Sequence, residues 1–194
     1  EKMAKAIGFR TPIALVRLVV RLLFGWPAYL LFGASGGPAY GKTSHMWPYK
    51  PFNRGEMELF PGKFKKLVLK ADVGIIAVLT AVYFWAKHCG VASVLAFYAG
   101  PMAVANAWLV LYTWLQHTDV DIPHYDTDSW TWAKGAFSTV DRPYGRVLDF
   151  LHHRIGSTHV AHHVNCRIPH YKAVKATEAL KRAFPDLYLY DPTP

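Results

Sequence analysis

The sequence predicts an all-α integral membrane protein: a transmembrane helical hairpin, an interfacial helix and a helical, histidine-rich aqueous domain on the cytosolic or stromal side. Three observations carry this. A long apolar stretch runs over 71–116, broken once by Lys87-His88-Cys89-Gly90. Hydrophobic residues make up 52% of the 194 residues and aromatics 15%, against 18% charged, a balance that suits lipid contact and aromatic belts rather than a typical soluble domain. Finally, eight of the ten histidines fall between His117 and His170.

The first apolar run, 11–33, carries Arg17 and Arg21 four apart on one helical face and is interrupted by Gly25 and Pro27. It reads as a broken amphipathic helix lying in the interface or as a re-entrant hairpin, with a single clean span as the competing reading. Residues 33–62, rich in Gly, Pro and aromatics, read as a surface loop at headgroup level, and His45 within it as a loop or structural residue. Lys63, Lys65, Lys66 and Lys70 precede the long apolar stretch as a juxtamembrane cluster, so both ends of the hairpin are expected to face the cytosol or stroma. The stretch divides into two segments near the roughly 20 residues that a crossing helix needs. Beyond it, 117–194 regains charge and reads as a mostly helical cap with no convincing strand pattern.

A formal net charge of +9 suits anionic lipid headgroups or nucleic acid. The placement of the lysines favours lipid, and no recognisable nucleic-acid module is present, so no nucleic-acid partner is expected. Cys89 and Cys166 form neither a CxxC nor a disulfide framework and read as free thiols.

The chemistry concentrates in His159-Val-Ala-His162-His163. On a helix, residues three and four apart share a face, so His159 projects beside both His162 and His163. The latter two diverge by about 100°, which can feed two neighbouring metal ions. Neutral imidazole suits Fe, Zn, Cu and Ni. A zincin site is excluded because Val160 stands where HExxH needs Glu, and a structural Cys/His zinc site would want paired cysteines. His117, closing the second apolar segment, reads as a metal ligand, with an interfacial hydrogen-bonding role as the alternative. His153, six residues before His159, reads as an orienting partner behind the ligands, with Asp149 a second candidate. His124, His152 and His170 read as structural or substrate-side.

These residues resemble a known family. Thr158-His-Val-Ala-His-His163, then Ile168-Pro-His-Tyr171 and Lys175-Ala-Thr-Glu-Ala179, are similar to the third histidine box and following segment of plant and algal acyl-lipid desaturases of the delta-12 (oleate) and omega-3 type. So are Leu115-Gln-His-Thr118, Pro123-His-Tyr-Asp126, Ser138-Thr-Val-Asp-Arg142, Gly25-Trp-Pro-Ala-Tyr-Leu30 and Ser35-Gly-Gly-Pro38. The resemblance implies a single partial desaturase domain over 1–194 and integral membrane enzymes whose three histidine boxes hold two irons. It implies O₂-dependent insertion of a cis double bond into a lipid acyl chain, with cytochrome b5 or ferredoxin as electron donor. It makes iron the favoured metal, places His159, His162 and His163 in the third box and makes His117 an added ligand. It favours the endoplasmic reticulum, with plastid membranes second. The family's first two boxes are not in this sequence, so His117, His159, His162 and His163 furnish part of a di-iron shell. Asp119 and Asp121 replace residues usual in delta-12 members, which leaves the double-bond position open. All boxes must reach one metal pair, so 11–33 is expected to cross zero or two times. The alternative function is a catalytically inactive, desaturase-like structural subunit of a larger membrane complex, holding no metal. A lipid hydroxylase of the same superfamily is a third reading.

Overall fold

In the computed structural model, described over residues 12–33, 40–53, 55 and 57–193, the fold is helical and divides into two compact units, one ending at Val110 and one beginning at Leu111. The loop reading for 34–39, 54 and 56, and the Ser35–Pro38 motif, lie outside the described residues.

In the first unit, α1 spans Pro12–Phe32 without interruption, with Pro27 inside it. The expected break at Gly25 and Pro27 is therefore corrected, and with it the re-entrant hairpin, since an unbroken 21-residue helix contains no reversal. Gly25 faces the helix carrying Val110. A Cβ built there would stand 3.4 Å from Val110 Cγ2, so the α1 backbone lies directly on the helix carrying Val110. Pro27 lacks a backbone donor, which a helix tolerates where local adjustment or neighbours satisfy the freed carbonyl. His45 packs between Tyr29 and Phe60, with ring centroids 4.7 and 5.5 Å away, and its backbone N–H donates to the Leu30 carbonyl at 2.8 Å. That is a structural histidine.

Helix α2 covers Phe64–Cys89, so Lys65, Lys66 and Lys70 lie on its first turns rather than ahead of it. Gly90, at φ 83°, ends α2 in a conformation that side chains rarely adopt, and α3 (Val91–Val94) starts at once. Trp85 Nε1 donates to Ser93 Oγ at 3.0 Å across this turn. A π-helical turn, Leu95–Ala99, then leads into α4, Gly100–His117. The wider turn sits where the Pro101 ring would otherwise strike the carbonyl of Phe97. Three segments, Pro12–Phe32, Phe64–Cys89 and Val91–His117, are long and apolar enough to cross a membrane by length and composition, and they mark a membrane protein.

The second unit holds α5 (Trp132–Phe137), β1 (Val140–Asp141), α6 (Gly145–Leu151), a 3₁₀ turn (Gly156–Thr158), α7 (His159–Val164), α8 (His170–Ala183) and β2 (Leu189–Tyr190). Thr131 caps α5 by accepting from Lys134 N at 3.3 Å. Pro169, with φ −68°, opens α8, whose Ala173 and Thr177 are buried one turn apart. Contrary to the strand-free expectation for 117–194, β1 and β2 pair in parallel, Val140 with Leu189 and Asp141 with Tyr190. The pair is two residues long, too short for any alternation to register in a sequence. Around it lie the fully buried Gln116, Thr139, Asp141, Val160 and Ala161.

Candidate metal centre

Helix α7 owes its position to a buried carboxylate. Six residues cannot hold a helix alone, and the first N–H groups of a helix lack intrahelical partners. Asp141 supplies them from β1: its Oδ1 accepts from Val160 N at 2.8 Å, and the His159 backbone also bonds the carboxylate. The Tyr188 hydroxyl donates to Oδ2. Burial pushes the Asp141 carboxyl up, while Tyr188, the two α7 amides and Lys181 draw it back; the phenol of Tyr188 is pushed up by burial and by Asp141. Strand pairing of β1 with β2 therefore brings the tyrosine to the acid that caps the histidine helix.

The approach to α7 is equally tight. His153 and Arg154, at φ 53° and 61°, turn the chain out of α6. Arg142 N then donates to the Gly156 carbonyl at 2.8 Å. A Cβ at Gly156 would lie 2.4 Å from both the Arg142 carbonyl oxygen and Tyr144 Cε2. Gly156→Ala is accordingly expected to destabilise the unit by about 1–3 kcal/mol, the usual range for overpacking, measurable by thermal melting of the purified protein. Arg142 itself bridges Asp119 at 2.7 Å and Asp191 at 2.8 Å, tying the segment after α4 to the end of β2.

Onto this frame converge His117, His159 and His163, each offering a ring nitrogen within 4.8 Å of the others, the one such group of three among the described residues. His159 Nε2 stands 3.3 Å from His117 Nε2 and 3.2 Å from His163 Nε2. The His117 ring is also bonded to the Ser138 backbone, which fixes its orientation. Thr139 Oγ1 donates to the Gln116 carbonyl at 2.7 Å and holds the end of α4 in place. The Nδ1 of His159 is buried with no hydrogen-bond partner among the described residues, so packing and the α7 cap place this ring. Burial first, then the neighbouring imidazoles, lower the His159 pKa to about 3 and the His163 pKa to about 4.

This arrangement fits a metal ion. Ligand nitrogens about 2.1 Å from one ion at tetrahedral or octahedral angles stand about 3.0–3.4 Å apart, and the two Nε2 separations here are 3.2 and 3.3 Å. Three nitrogens aimed at one point cannot all satisfy one another by hydrogen bonds, and their low basicity keeps them as the neutral donors that a metal needs.

The depressed pKa values also set a pH dependence. The unfolded chain protonates these imidazoles near 6.5 and the folded one does so only below, so stability is complete above about 6.5 and lost as pH falls toward 4. Melting temperature of the metal-free protein is expected to drop across that window, and the drop should shrink in His159→Ala.

Of the residues singled out by sequence, the structure joins His117, His159 and His163. His162 is exposed, its ring centroid 5.7 Å from that of His159 and 5.9 Å from that of His163. His153 stacks on His170 at 4.5 Å, and His152 meets Tyr112 edge-on at 5.4 Å. Asp149 accepts from Tyr144 N at 3.1 Å and opens α6 rather than orienting the histidines. Asp141, Tyr188 and Thr139 were not singled out. Asp141 lies in the Ser138–Arg142 motif, but its role needs the β1–β2 pairing, which leaves no periodic signal.

A family model described as fatty acid desaturase matches residues 5–193. The chain is 41% identical over 180 residues to a delta(12)-fatty-acid desaturase of Arabidopsis thaliana, covering 93% of this chain and 45% of that protein. It is 40% identical over 196 residues to a delta(12) fatty acid desaturase of Mortierella alpina, covering 100% and 47%. It is 40% identical over 183 residues to an oleoyl-12-hydroxylase of Ricinus communis, covering 94% and 45%. No solved structure matches the chain. The chain thus spans about half the length of these relatives, and it belongs to the fatty acid desaturase family.

Proposed function

We propose that this chain is the C-terminal part of a membrane-bound, di-iron acyl-lipid desaturase that inserts a cis double bond into a lipid acyl chain. The observation that carries the reading is the convergence of His117, His159 and His163 in a chain of this family. In this reading the three imidazoles hold one iron, and the exposed His162 turns toward a second whose remaining ligands come from outside these residues. His153, stacked on His170, is an auxiliary histidine outside the triad in this reading. Bound there, iron supplies the one-electron and O₂ chemistry that an unactivated C–H bond requires.

The chain's own contribution is placement. The α7 cap and the His117–Ser138 bond fix the donors, and the fully buried Val160 and Ala161 close the inner side of α7 to water. The substrate is a lipid acyl chain, which reaches the site from the membrane. Segments 64–89 and 91–117 form the transmembrane hairpin, α1 lies in the interface, and cytochrome b5 or ferredoxin supplies electrons. The endoplasmic reticulum is the proposed location.

Lipid analysis of a host expressing the full-length protein tests the activity. A new cis double bond is expected, and its absence from a host in which the protein accumulates with iron bound counts against desaturation. The identity to an oleoyl-12-hydroxylase gives a second reading, lipid hydroxylation, and a hydroxylated acyl chain in the same extract would favour it.

A further inference from the structure

Helix α6 carries an apolar face that nothing among the described residues covers: Val147, Phe150 and Leu151 are 70, 80 and 61% exposed. They stand three and four apart, so they form one stripe. Both ends of α6 are fastened to one residue of α4. Tyr112 lies 5.3 Å from the Tyr144 ring at the start of α6 and 5.4 Å from the His152 ring at its end. Tyr112 sits five residues before the end of the Val91–His117 segment, about 7.5 Å inward along a helix. That puts α6 at the depth where the segment would leave the hydrocarbon, the level that tyrosines favour. Arg146 and Arg154 flank the stripe and are exposed, while Asp149 is turned inward onto Tyr144 N. Cations facing out and the acid tied in complement lipid phosphates.

We infer that α6 is a monotopic anchor, with Val147, Phe150 and Leu151 inserted into the headgroup–acyl boundary and Arg146 and Arg154 at the phosphates. The inference rests on Val91–His117 crossing the membrane. Interfacial helices seat their apolar face about 5–10 Å into that boundary. Anchoring on this side of α4 would hold His117 at a fixed height above the bilayer, and the α7 histidines with it.

The test uses the full-length protein in nanodiscs of phosphatidylcholine and phosphatidylglycerol, with native cysteines replaced, Cys89→Ser and Cys166→Ser among them. Nitroxides are attached singly at Val147→Cys, Phe150→Cys, Val104→Cys and Glu178→Cys. Labels at 147 and 150 are expected to collide several-fold more with lipid-soluble oxygen than with an aqueous nickel chelate, reversing the ratio at 178. A ratio at 147 and 150 equal to that at 178 overturns the anchor and leaves the face in water. Protection from both reagents also overturns it, showing the face covered by protein. The label at 104 separates the two failures: if it too lies in water, it is the membrane crossing that fails. Two labelled positions guard against a single misfolded variant.

Discussion

His159→Ala is expected to abolish metal retention while leaving the fold standing. His159 is the shared member of the triad, its Nε2 3.3 Å from that of His117 and 3.2 Å from that of His163, so its loss leaves two nitrogens with no common third. Losing a partner behind a ligand costs about 10–100-fold in metal affinity, and losing the ligand itself should cost more than 100-fold. Iron content of the purified full-length protein and the visible spectrum of its cobalt-substituted form report this directly. The metal-free protein should still melt cooperatively, at a somewhat lower temperature because truncating this buried ring leaves a cavity. His162→Ala should behave differently. His162 stands outside the converging nitrogens, so its loss should spare the site formed by the other three and lower iron content by no more than half. Equal losses in the two variants would argue against the triad as a unit.

Asp141→Ala is expected to cost about 2–5 kcal/mol, the sum of a lost helix cap at about 1–2 kcal/mol and one buried hydroxyl left unpaired at about 1–3 kcal/mol. The donors concerned are the amides of His159 and Val160 and the hydroxyl of Tyr188. Thermal melting gives the stability loss, and metal titration shows whether the histidines are still held. Asp141→Asn keeps an acceptor for the amides and should recover a large part of both. Tyr188→Phe removes only the hydroxyl and should fall between the wild type and Asp141→Ala. If Asp141→Ala melts like the wild type, the carboxylate does not hold α7.

The contrast between these two residues shows what could be read in the sequence. His159, His162 and His163 announce themselves because a helix converts spacing in the chain into direction in space, and imidazoles at three- and four-residue intervals must meet. His117 was legible from its place at the end of an apolar segment. Asp141 acts across the fold: its partners lie 19 and 47 residues away and come together through a two-residue strand pair. No local pattern encodes such a meeting. Asp149, a candidate orienter by sequence, instead spends its hydrogen bond at the start of its own helix. Similarly, Gly25 and Pro27 suggested a break by propensity alone. In the structure α1 continues through both residues, and Gly25 lies against Val110.

The parallel pairing of β1 and β2 has a consequence for synthesis. Asp141 leaves the ribosome first, then the histidines of α7, and Tyr188 only after a further two dozen residues. While that last segment is still in the tunnel, the carboxylate has the α7 amides as partners but not the Tyr188 hydroxyl. The hydroxyl that completes the bonds of Asp141 is thus the last part of this frame to emerge, well after the histidines that the carboxylate supports.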